Sequence, residues 1–186
     1  MLRKRKKGAA VQQKQLDITL VTPTAAMSAE AYGGRAKCLQ RLVRLDLPVP
    51  RTVALSFNAV HEIASGSPVD VNAILGYFDH SDVICVRPSS QSTDWGGPGA
   101  VLNIGMNKAR YALLCDTLGA EAAAILYLSF VQAYSIHVAR LDADIFDHIK
   151  GQDNAALEQA LRAYEEEAEE AFPQERDAQL TQVLAS

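Results

Sequence analysis

The sequence has no long apolar run. Its longest, Ala122 to Val131, is interrupted by Tyr127 and Ser129 and is too short to cross a bilayer. No apolar segment follows the basic start, so a secretory signal is not expected. Cysteine is scarce. Cys38, Cys85 and Cys115 show no CxxC spacing and no neighbouring ligand cluster, which argues against a metal or redox role. They read as reduced, small apolar residues of a cytoplasmic protein. Aromatic residues make up only 6% of the chain and none interleaves the basic run Arg3 to Lys7, so base stacking has no support. That run carries five positive charges; against a whole-chain net charge of −4, the rest of the chain is nine negative. A basic arm can hold phosphate by counterion release. The simpler expectation is a solvated, disordered arm over 1–15, with neither nucleic acid nor membrane as partner.

What is present fits a globular fold. The chain has 186 residues, 48% hydrophobic and 22% charged. That length allows roughly 70% of the unfolded surface to be buried.

The pattern divides near residue 106. Before it, short strands alternate with helices. Asp17 to Val21 alternates as a first strand, and Thr22-Pro23-Thr24 reads as a turn. A helix entered through Gly33-Gly34 carries Leu39, Leu42 and Val43, and Leu47-Pro48-Val49-Pro50 ends it. Val53 to Leu55 forms a strand, and Ser56 caps a helix with Val60 and Ile63. Another helix carries Val71, Ile74, Leu75 and Phe78. Val83 to Val86 is apolar throughout, as a strand buried on both faces would be. Val101 to Ile104 is a further strand.

After residue 106 the chain reads as helical. One helix runs from an Asn107 cap to Gly119 and a second from Ala120 to Ile136. Asp142 or Asp144 opens a third with Ile145, Phe146 and Ile149. A fourth carries Leu157, Leu161 and Tyr164 before the break at Pro173, and a last one follows Asp177. The expected class is therefore α/β (α+β): an α/β part over 16–106 and a helical subdomain over 107–186, which reads as truncated because its last helix has no stop signal.

The chemistry points to a loop. Arg87 directly follows the apolar strand, and a stretch containing Gly96, Gly97 and Gly99 comes next. Glycine lets backbone N–H groups approach phosphate oxygens, and a guanidinium holds them with a bidentate fork. A surface loop with a structural arginine is the competing explanation. His61, His80, His137 and His148 read as surface or satisfied core residues, and Glu165 to Glu170 as a solvated helix face lacking the geometry of a metal loop.

Several segments, in order, resemble pyruvate phosphate dikinases. Tyr32-Gly33-Gly34-Arg35-Ala36-Lys37-Cys38-Leu39 and the later Leu45-Asp46-Leu47-Pro48-Val49-Pro50 resemble the family's G-G-K-G-A-N-L and L-G-L-P-V-P. Val86-Arg87-Pro88-Ser89 is similar to V-R-S-G, and Gly96 falls on the glycine of M-P-G-M-M-D-T. Val101 to Asn107 resembles V-L-N-L-G-L-N, Phe130 to Tyr134 resembles F-I-Q-M-Y, and Phe172-Pro173-Gln174 matches F-P-Q.

The resemblance implies the N-terminal part of an ATP-grasp domain, an ATP-grasp-like half-lobe followed by the helical subdomain. It further implies a cytoplasmic phosphotransferase that turns ATP, pyruvate and phosphate into phosphoenolpyruvate, AMP and diphosphate through a phosphohistidine. ATP is the implied cofactor, with Mg²⁺ expected only in the complete enzyme. The implied partners are ATP and the downstream domains of the phosphotransferase, with a homodimer left open. By position, Arg35 and Arg87 take the roles of the family's two phosphate-contacting cations; only Arg87 is identical. Arg35 replaces a compact ammonium with a larger fork. Pro88 removes a backbone donor, and Gly99-Ala100 stands where the family has D-T. No catalytic residue or metal ligand is assigned, and the chain is not expected to work as a dikinase by itself. The alternative is a divergent, non-catalytic nucleotide-binding or regulatory module.

Overall fold

The computed structural model describes residues 17–90 and 99–186. The basic arm and the loop positions Gly96 and Gly97 lie outside the described residues. The described chain is an α+β protein. Its strands pair in two small antiparallel sheets, and its helices supply most of the ordered backbone.

The first sheet joins β1 (Ile18–Leu20) to β2 (Val53–Leu55), with Ile18 opposite Leu55 and Leu20 opposite Val53. Between them runs α1 (Ala29–Arg44). It closes a small core of Val21, Met27, Ala36 and Ala54. This helix has a break. Gly33 sits at φ +83°, so a first turn capped by Ser28 gives way to the main helix at the glycine pair. Gln40, a polar residue, is fully buried here. Its amide donates to the carbonyls of Thr22 (3.1 Å) and Ala25 (2.7 Å), fixing the β1–α1 turn.

Two short helices follow, α2 (Phe57–Ala64) and α3 (Val71–Leu75). Ser56 caps α2 as expected, its hydroxyl accepting from the Ala59 N–H at 3.0 Å. Val60, expected on the inward face, is half-exposed; Ile63 is the residue that packs inward.

The second sheet pairs β3 (Ile84–Val86) with β4 (Val101–Ile104). The expectation of a strand buried on both faces fails. Ile84 is buried, whereas Cys85 is exposed and Val83 is 40% exposed. An antiparallel pair with one face on the core needs only alternate residues inside. Ile84 pairs with Ile104 and Val86 with Val101, so Cys85 faces two residues, Leu102 and Asn103. This bulge puts Asn103 at φ +61°, a conformation asparagine tolerates better than most residues, and its side-chain amide donates to the Leu126 carbonyl at 3.2 Å.

The helices after residue 106 are α4 (Lys108–Leu118), α5 (Ala120–His137), α6 (Asn154–Ala168) and α7 (Arg176–Ala185). Gly119 at φ +88° divides α4 from α5. The helix expected from Asp142 or Asp144 is only a 3-10 turn, Ala143–Phe146. Neither aspartate cap forms, and only Phe146 is buried, which is too little to hold a longer helix.

α5 is the central helix. Tyr127, Phe130, Val131 and Tyr134 are all at most 1% exposed. The larger core joins α3, β3 and β4 to the later helices, so it crosses residue 106. Its centre is Phe172, whose ring meets those of Tyr164, Tyr134, Phe130 and Tyr127 at centroid distances of 5.1, 5.2, 5.6 and 6.1 Å. Such edge-on aromatic contacts add about 0.5–1.5 kcal/mol each beyond area burial.

The cysteines are free, as expected, but are not interior residues. Cys38 and Cys85 are exposed and Cys115 is half-buried. Cys85 loses its place in the core because the pleat alternates. Among the described residues no helix is long and apolar enough to cross a membrane.

Candidate functional site

The site begins with a contact between two segments far apart in sequence. Gly33, ahead of the main part of α1, lies against Ser89, three residues past β3. A Cβ built on Gly33 would stand 2.2 Å from Ser89 Oγ and 2.9 Å from Ser89 Cβ. No side chain fits there, and the backbone at φ +83° is one that residues with a Cβ rarely adopt. Beside it the Gly34 N–H donates to the Ser90 carbonyl at 3.1 Å. The glycine pair therefore lets α1 press directly on the backbone leaving β3.

That contact brings the two arginine segments together. Arg35 follows Gly34 by one residue, and Arg87 precedes Ser89 by two. Both are exposed, and neither guanidinium makes a hydrogen bond or ion pair among the described residues. Arg87 leaves the ladder at Val86, which is paired with Val101, so it emerges next to the returning chain at Ala100. An exposed cation at a strand end can take an anion with charge-assisted bonds, and the contact brings the segment of a second, helix-borne cation next to it.

Lys37 is occupied elsewhere. Its ammonium donates to the Met27 carbonyl and to Gln40 Oε1, both at 2.8 Å, so it braces the α1 turn. Gly99 lies against the exposed His137 at the end of α5. A Cβ on Gly99 would lie 3.3 Å from His137 Nε2. The other three histidines are exposed too. Glu165 to Glu167, Glu169 and Glu170 are exposed as expected, and Glu170 also accepts a hydrogen bond from the Tyr164 hydroxyl at 3.1 Å.

Two features escaped the sequence reading. Nothing local marks Ser89; the hint to it is a glycine pair within a helical pattern, which demands a close neighbour without naming it. The second is Tyr134, whose hydroxyl is buried without a partner. Burial, with Glu170 nearby, pushes its ionisation up to about 12, and burial likewise raises Tyr164 and Tyr127. These groups stay neutral and belong to the core.

An open groove of about 470 Å³ lies elsewhere, between α1 and the Leu47–Thr52 connection, and neither Arg35 nor Arg87 lines it. Among the described residues no group of three or more His, Cys, Asp or Glu side chains is placed to hold a metal ion. Set against known proteins, the chain matches no family model and no curated protein sequence.

Proposed function

We propose that this chain supplies phosphate contacts of an ATP site in a cytoplasmic phosphotransferase similar to pyruvate phosphate dikinases. Arg87 is the principal contact and Arg35 the second. One observation carries the proposal: the fit of Gly33-Gly34 against Ser89-Ser90, which places two of the resembling segments side by side with their arginines exposed. Nothing about composition alone requires those two segments to meet.

Chemically, the arrangement binds rather than reacts. Guanidinium groups neutralise and orient phosphate oxygens but offer no nucleophile or base at neutral pH. The resemblance leaves Mg²⁺ to the complete enzyme, and no metal-dependent step is assigned to these residues.

Calorimetric titration of ATP into the wild type, Arg87→Ala and Arg35→Lys tests the proposal. Charge-assisted bonds are worth about 1.5–3 kcal/mol each, so Arg87→Ala is expected to weaken ATP roughly 10- to 100-fold. Arg35→Lys is expected to hold or improve affinity. Equal affinity of the wild type and Arg87→Ala for ATP would remove Arg87 from the site. A wild type that binds no ATP favours the second function, a non-catalytic regulatory module. The replacement of a backbone donor by Pro88 already leans that way.

A further inference from the structure

Ser89 combines two properties that a loop serine seldom has together. Its hydroxyl oxygen is buried, and it has no hydrogen-bond partner. It also occupies the one place where Gly33 lacks a side chain, so α1 has been opened by a glycine to admit it. A buried hydroxyl that has left water without a new partner is a standing cost to the fold. Were Ser89 only a filler, alanine would pack in its place and leave nothing unsatisfied.

Its surroundings suggest what the hydroxyl is for. Pro88, between Arg87 and Ser89, has no N–H to give. Arg35 and Arg87, each two residues along the chain from the contact, are exposed. Ser89 itself is only part-buried, so another staggered χ1 rotamer can turn its oxygen away from Gly33. We propose that the Ser89 hydroxyl is a third phosphate donor of this site, turned out from the Gly33 contact to donate to a phosphate oxygen between the two arginines. The inference rests on the nucleotide function proposed above and adds to it a residue that the resemblance does not supply. An anion repays the hydroxyl twice, since it supplies the missing acceptor and the bond formed is charge-assisted.

The test is Ser89→Ala in the full 186-residue chain, beside the wild type and Arg87→Ala. ATP, inorganic tripolyphosphate and adenosine are titrated into each, and the melting temperature is measured without ligand. Ser89→Ala is expected to melt at the same temperature or higher while losing roughly 10-fold in affinity for ATP and tripolyphosphate, with adenosine unchanged. A purely structural serine would show a lower melting temperature with unchanged tripolyphosphate affinity, and that overturns the inference. If Arg87→Ala weakens both phosphate ligands and Ser89→Ala weakens neither, Ser89 is not a donor and the nucleotide function stands. If neither substitution changes binding, or the wild type binds neither phosphate ligand, the proposed function fails and the inference with it.

Discussion

Asn107 and Gln174 hold two distant segments together. The Asn107 amide donates to the Gln174 backbone carbonyl at 2.9 Å, while Gln174 Oε1 accepts from the Lys108 N–H at 3.0 Å. Asn107 also caps α4, its Oδ1 accepting from the Arg110 N–H at 2.8 Å. One residue thus starts a helix and ties it to the α6–α7 connection. The same connection carries Phe172, the centre of the core. The segments Val101–Asn107, Phe130–Tyr134 and Phe172–Gln174 therefore meet as fold determinants rather than as a reactive site.

Phe172→Ala should be among the most damaging single changes. Its ring is 2% exposed and touches four aromatic neighbours that cannot all close over the space. A loss of about 3–5 kcal/mol is expected. Urea denaturation followed by circular dichroism measures it, and a loss below about 1 kcal/mol would show that the core collapses around the cavity.

Gln179 makes a different kind of clamp. It is fully buried, accepts from the Gly105 N–H at 2.7 Å, and donates to the carbonyls of Met106 (3.0 Å) and Pro173 (2.7 Å). Gln179→Leu keeps the volume and strands those groups. Stability should fall by about 3 kcal/mol, each unsatisfied buried group costing about 1–3. A midpoint equal to wild type in the same denaturation would show that water replaces the amide.

Gly33→Ala tests the contact at the site. The added Cβ meets Ser89 at 2.2 Å, and the φ of +83° is strained for alanine. The backbone strain costs about 1–3 kcal/mol before any displacement of Ser89. The melting temperature should drop, and ATP affinity should fall even though no charge is removed. Wild-type ATP affinity in this variant would separate the arginines from the glycine contact.

Alkaline pH should weaken the fold through Tyr134. Its ionisation is raised from an ordinary value near 10 to about 12 by burial. Below pH 10 both folded and unfolded forms hold the proton, so its contribution is fully present. As pH rises through 10 to 12 the unfolded chain loses the proton first, and stability falls. Tyr134→Phe removes an unpartnered hydroxyl and part of this slope. Stability measured at pH 8 and pH 11 should therefore differ less in the variant than in wild type, with Tyr164 and Tyr127 contributing to the slope that remains.

Local signals were legible in the chain because they act over a few residues. The Ser56 and Asn107 caps, the Gly119 break and the apolar face of α6 each depend on spacing or on one side chain reaching its own backbone. Arg87 could be marked as a candidate for the same reason, since it follows an apolar run directly. Long-range choices were not written in any one segment. Strand pairing decided that Cys85 and Val83 face outward, because only one face of the second sheet meets the core. Burial of Gln40 and Gln179 depended on which backbone groups the fold left without partners, 15 to 18 and 73 to 74 residues away. The role of the glycine pair was settled in the same way: sequence showed that Gly33 lacks a side chain, and only packing against Ser89 gave that lack a purpose.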